Sequence, residues 1–171
     1  MPKVVVDFGN ATEIISAIQN MTELIGKMAS EIQKVKKSWT NKEIKDKIGY
    51  IKDVQGDVAF ICAKILAESD AAKIAGKKLI MTPIELAEIG KSLRDFAEAG
   101  KDFIELDVMR KFQRSHFDVV KGILEKDFYI INHIPESDLQ SIDNFVVFIN
   151  NVYGYIKKIN EELDKVIKDL A

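Results

Sequence analysis

A chain of 171 residues with 47% apolar and 30% charged side chains has the length and hydrophobicity of one globular domain, residues 1–171, and leaves little room for two. Its single cysteine excludes an internal disulfide scaffold, and its apolar content with a net charge of −2 excludes simple disorder. At a pI near 5.8, the balance of 25 basic and 27 acidic side chains makes nucleic acid an unfavoured partner.

The N-terminal stretch has only three consecutive valines behind Lys3 and no cleavage pattern, so it does not read as a secretory signal. Lys3 to Phe8 is β-like but too short to form a sheet alone. From Ile14 the apolar residues Ile14, Ile18, Met21, Ile25, Met28, Ile32 and Val35 alternate in steps of four and three. That heptad seam predicts a long amphipathic helix over about 10–37, capped by Asn10 with Glu13.

Thr40 with Glu43 repeats the capping pattern. Behind it Ile44, Ile48, Ile51, Gln55, Val58, Cys62 and Ile65 form a second seam, with one polar member, over about 41–68. Ala71 to Leu79 either extends this helix or adds a short one. Thr82-Pro83 with Glu85 is the clearest helix start in the chain. The stripe Leu86, Ile89, Leu93, Phe96, Gly100 and Phe103 then predicts a third helix over 82–113 or longer, because neither Pro nor Gly interrupts 101–121.

After Pro135, Ser137 is a plausible cap for a last helix over 138–169. Its seam is Ile142, Phe145, Ile149, Val152, Ile156, Ile159, Leu163, Val166 and Leu170. The fold expected is all-α: an elongated up-and-down bundle of four long amphipathic helices with one or two short extra helices.

Three features bear on function. Phe145, Val146, Phe148, Ile149, Val152, Tyr153 and Ile156 make the last helix apolar nearly all round, so something must cover it: residues 115–134 or another subunit. Gly49, Gly56 and Ala63 on helix 2, and Ala87, Gly90, Ala97 and Gly100 on helix 3, are strips of small residues. They suit close packing of those two helices, or reception of a partner. Lys34, Lys36, Lys37, Lys42 and Lys45 surround Trp39, and alternating helices would return Arg110, Lys111 and Arg114 to the same end. Solvated helix ends explain such clusters; a positive, aromatic tip for anionic lipid or a nucleic-acid backbone is the functional alternative.

Catalytic motifs are not found. His116 and His133 lack the Glu-x-x-His spacing of di-iron bundles, and one cysteine with two distant histidines makes no zinc set. Gly90-Lys91-Ser92 resembles the end of a phosphate loop, but Glu85 stands where the earlier glycine belongs. The carboxylate pairs Asp53 with Asp57 and Glu85 with Glu88 read as solvated helix faces, and Cys62 reads as a core residue. The expectation is a non-enzyme with no metal and no cofactor, acting through self-assembly or a protein partner.

The alternative is a membrane-active protein. Long bundled helices, the uncharged stretch 144–156 and the Trp39 tip are similar in outline to the helical pore-forming toxins, which combine bundled helices with an apolar insertion element. That likeness is one of architecture, matched by no family motif residue by residue. It implies binding to an anionic membrane surface after rearrangement. The expected location is the cytoplasm, or outside the cell by export without a classical signal peptide.

Overall fold

The computed structural model describes residues 6–34, 39–74 and 81–170, with backbone alone at 70–74. Every regular element among them is helical. Of the β-like stretch at Lys3 to Phe8, residues 3–5 lie outside the described residues, Val6 and Asp7 form no regular element, and Phe8 enters a turn that leads into the first helix.

Helix α1 spans Ala11–Lys34. The Asn10 side chain accepts from the backbone N–H groups of Thr12 at 3.1 Å and Glu13 at 3.4 Å, satisfying two donors the helix start leaves unpaired. Helix α2 spans Asn41–Ile74, longer than its seam predicts. The Thr40–Glu43 box closes it: Glu43 N–H donates to Thr40 Oγ1 at 3.2 Å, and Thr40 N–H to Glu43 Oε2 at 2.9 Å. Helix α3, Pro83–Ile104, starts at the same kind of box between Thr82 and Glu85.

Beyond this point the chain departs from expectation. The third helix does not reach 113. It ends at Ile104, because Phe103, Ile104, Leu106 and Met109 are all buried and no single α-helical face can hold all four. An extended Leu106 turns the chain into α4, Asp107–Phe112. The freed Ile104 carbonyl accepts from the buried Gln113 amide at 3.3 Å.

A 3-10 turn at Arg114–His116 leads into α5, Phe117–Ile123, a π turn at Leu124–Phe128, and α6, Tyr129–Asn132. A second 3-10 stretch, Glu136–Gln140, precedes α7, Ile142–Asp169. The last helix thus begins after Ser141, not near 138; Ser137 lies in the 3-10 stretch.

The contacts fix the directions. Lys52 near the start of α2 meets Asp164 near the end of α7 at 2.7 Å, so these two helices are antiparallel. Arg94 of α3 lies over the Phe148 ring of α7 at 5.9 Å, and Lys101 and Tyr155 share Phe128 as neighbour, so α3 and α7 are parallel. The last turns of α1 and α3 line one groove. Consequently α1, α3 and α7 run one way and α2 the other. Simple alternation of four helices is replaced, because residues 105–141 travel back along the bundle before α7 begins.

That returning segment covers α7, where the apolar last helix called for cover by residues 115–134 or by another subunit. Val120, Phe128 and Ile131 are buried, and the Phe128 ring tilts against Tyr155 at 6.0 Å. Of the residues expected to be hidden on α7, Phe145, Phe148, Ile149, Val152 and Ile156 are buried, whereas Val146 and Tyr153 are half-buried. Val147 remains 58% exposed, so the helix is covered on most sides but not all.

The small-residue strips do not join α2 to α3 as expected. Helix α2 packs chiefly along α7, and α1 along α3. Gly90 instead receives the Leu139 side chain of the 3-10 stretch. Gly100 approaches Gln55, whose Nε2 stands 3.1 Å from where a Cβ would be. Among the described residues a Cβ on Gly49 or Gly56 would meet nothing within 4 Å. Mid-helix glycine costs about 1 kcal/mol relative to alanine, and packing among the described residues does not require it at these two positions.

Candidate interaction grooves

Among the described residues, two large grooves lie along the bundle. The first, of about 990 Å³, lies between the last turns of α1 and the α3–α4 junction. Its floor is small: Gly26, Ala29, Ser30 and Ala99. Trp39 and Phe112 are aromatic walls, and Asp102, Glu105, Asp107 and Lys111 supply charge.

Here the structure places the sequence-predicted tip. Trp39, half-buried, and Lys111 line this one groove, while Lys34, Lys42, Arg110 and Arg114 are exposed around that end and Lys45 is half-exposed. Lys36 and Lys37 lie outside the described residues. The three carboxylates beside Trp39 were not legible as neighbours, because they belong to the polar side of α3 and its turn into α4. With them present, the lining is mixed in charge.

The second groove, of about 610 Å³, runs between the antiparallel α2 and α7. From α2 come Gly56, Ala59, Phe60 and Ala63; from α7 come Tyr153, Ile156, Lys157 and Asn160. The half-open strip of helix 2 is therefore the wall of a groove. Phe60 stands on its edge 51% exposed, met edge-on by Phe8 at 6.3 Å. One end carries Lys52, Asp53, Glu161 and Asp164. Toward the other end the Lys157 ammonium leans over the Tyr153 ring at 5.3 Å. Asn160 donates to the Lys52 carbonyl at 3.2 Å, stitching the two helices at the acidic end.

Groups with chemical potential lie elsewhere or are held inactive. Burial pushes the Cys62 thiol up to about 12, which keeps it protonated and a poor nucleophile at neutral pH. Burial, with Glu105 and Asp102 nearby, raises the Tyr155 phenol. Asp57 is raised from its ordinary 3.8 mainly by burial, with Asp53 contributing. Lys91 and Ser92, which suggested a phosphate loop, lie inside α3, and Ser92 Oγ donates to the Glu88 carbonyl at 3.2 Å. Among the described residues no three His, Cys, Asp or Glu side chains gather as a metal-holding group.

His116 has a role the sequence did not suggest. Its Nε2 is 2.9 Å from Asp169 Oδ2, its Nδ1 is 3.6 Å from Glu162 Oε2, and Ser115 Oγ donates to the same Asp169 oxygen at 3.0 Å. Serine and histidine both address the carboxylate and not each other, so no nucleophile–base relay forms. The cluster pins the 3-10 turn before α5 to the last turn of α7.

These contacts give a pH dependence with a definite sign. The Lys52 hydrogen bond and charge hold Asp164 below its ordinary 3.8, and the His116 and then Ser115 hydrogen bonds hold Asp169 below it. A carboxyl depressed in the fold contributes stability above its unfolded value and loses it as pH falls through the folded one. Thermal melts are expected to show Tm falling below about pH 4, and Asp164→Asn to flatten part of that fall. An acid profile identical to that of the parent chain would overturn the assignment.

Among the described residues no helix is long and apolar enough to cross a membrane. Compared with protein-family models, curated proteins and solved structures, the chain shows no significant match to any.

Proposed function

We propose that this chain is a non-enzymatic interaction protein: four long helices, α1, α2, α3 and α7, walled on one side by the broken returning segment, with a docking surface in the α2–α7 groove. The observation that carries the reading is Phe60, a large apolar side chain 51% exposed beside a hollow at Gly56 that no side chain among the described residues fills. Exposed aromatics next to an apolar hollow are the usual anchors of protein interfaces. The partner is this chain itself or another protein.

A photo-crosslinking residue at position 60, expressed in cells, tests this. Protein adducts are expected at 60 and not at 84, where Ile84 is 66% exposed but borders neither groove. Equal labelling at both positions, or none at 60, would remove the support for a docking groove.

One observation favours a second reading. Phe117, Val119, Tyr129 and Ile130 are all at least 40% exposed on the returning segment, which a π turn already distorts. This supports lipid contact by that segment after rearrangement, in the manner of the helical pore-forming toxins. Flotation with anionic and neutral liposomes, with dye leakage read from the same vesicles, decides it. Co-flotation with leakage supports the reading, and absence of flotation at low and moderate salt ends it.

A further inference from the structure

We infer that His116 is a pH-sensitive latch: its charged imidazolium fastens the 3-10 turn and the start of α5 to the end of α7, and its neutral form loosens them. The ring lies between two carboxylates of one helix. Its Nε2 is 2.9 Å from Asp169 Oδ2, and its Nδ1 is 3.6 Å from Glu162 Oε2. A neutral imidazole has one proton for two nitrogens, so it donates toward one carboxylate and turns a lone pair on the other. Only the doubly protonated ring answers both.

Two further observations favour the charged form. The Glu162 side chain is only 9% exposed, and its Oε2 has no hydrogen-bond partner among the described residues. A buried carboxylate oxygen left without a donor is costly, and the Nδ1–H of the imidazolium is placed to offset that cost. The ring also stands at the last turn of α7, where unpaired carbonyls form the negative end of the helix and a cation is favoured. The Asp169 carboxyl, held below its ordinary 3.8 first by the His116 hydrogen bond, keeps its charge through the range in which histidine titrates.

The surrounding charges leave this sign in place. On α7 the Lys165 ammonium binds the other Glu162 oxygen, Oε1, at 3.0 Å, and Lys168 pairs with Asp164 at 3.7 Å. The turn itself carries Arg114. Helices α4 and α5, packed on the turn, carry Asp107, Arg110, Lys111, Asp118 and Lys121. All six are exposed, where salt screens them, and among the described residues His116 forms its ion pairs with Glu162 and Asp169. Closing therefore takes up a proton. The latch strengthens as pH falls from about 8 to about 5 and weakens again only where Asp169 protonates, below its ordinary 3.8. Opening uncovers Val120, buried when the latch is closed, beside Phe117 and Val119, which are exposed already. The extent of that apolar face is thus set by pH.

Amide hydrogen exchange of the full chain, expressed as protection factors so that the base-catalysed intrinsic rate is divided out, is the test. Between about pH 5 and about pH 8, protection of residues 114–123 is expected to fall about three- to tenfold, while that of α1 stays level. His116→Gln is expected to show low protection that no longer varies with pH. Glu162→Gln makes a stricter demand. Its amide oxygen can keep Lys165 while its amide nitrogen donates to the neutral Nδ1, so the latch is expected to stay closed at the higher pH and the fall to shrink. Both variants are checked for helicity by circular dichroism, and the parent profile carries the test by itself if either fails to fold. Protection of 114–123 that is level with pH in the parent chain overturns the inference. So does a fall that persists unchanged in His116→Gln, which would move it to another titrating group, or one as steep in Glu162→Gln as in the parent.

Discussion

Phe128→Ala is expected to lower the free energy of unfolding by about 3–5 kcal/mol, the range for deleting a buried aromatic ring. For a chain of this length that is a fall in Tm of roughly 6–20 °C. Phe128 is 6% exposed, its ring tilts against Tyr155 at 6.0 Å, and the Lys101 ammonium lies over it at 5.2 Å. It is one of the points where the returning segment touches both α3 and α7.

The loss should be local before it is global. Hydrogen exchange is expected to rise first in residues 117–132 and in the turn of α7 around Val152 to Ile156. The α1–α3 contact, which Phe128 does not touch, should stay protected longer. A destabilisation below about 1 kcal/mol, typical of a surface change, would show that the returning segment does not hold α7 closed.

The π turn that brings Phe128 inward illustrates where sequence reading stops. Val120, Leu124 and Phe128 follow one another at steps of four. Two such steps outrun the α-helical repeat of about 3.6 residues, and the wider π winding at Leu124–Phe128 absorbs the difference. The break at Ile104 is equally hidden, since it contains no Gly or Pro. It follows from too many apolar side chains for one face, and from Gln113 being available to satisfy the Ile104 carbonyl.

By contrast, the seams of α2 and α3 were legible residue by residue. A four-three spacing states which side chains point inward whatever they meet. Asn10 and the boxes at Thr40 and Thr82 were legible because their partners are three residues away or closer. What spacing does not encode is which helix lies opposite. Hence the strip Gly49, Gly56 and Ala63 was visible, but its place beside α7, and its exposure, were not. The acidic residues around Trp39 were missed for the same reason: their proximity is created by α1 and α3 lying side by side.

Leu139→Ala is expected to cost about 2–5 kcal/mol, and to reverse the sign of a second substitution. Leu139 is fully buried, and its Cδ1 occupies the space that a Cβ on Gly90 would need. With Leu139 present, Gly90→Ala therefore gains up to about 1 kcal/mol of helix propensity but incurs about 1–3 kcal/mol of overpacking, a net loss near 1 kcal/mol. With alanine at 139 the clash is gone and the propensity gain remains, so the same change becomes stabilising. The expected coupling is about 1–3 kcal/mol by double-mutant cycle in urea or thermal unfolding.

Gly49→Ala is the control: none of the described residues lies within 4 Å of its Cβ position, so it should stabilise in either background. Additive single and double variants would show that Leu139 does not dock on Gly90. The point reaches beyond two side chains. Arg94 donates to the Ile134 carbonyl one turn past Gly90, so α3 holds the returning segment at both 134 and 139. That grip sets where α7 begins and, through the direction of α7, which of its residues face α2 across the open groove.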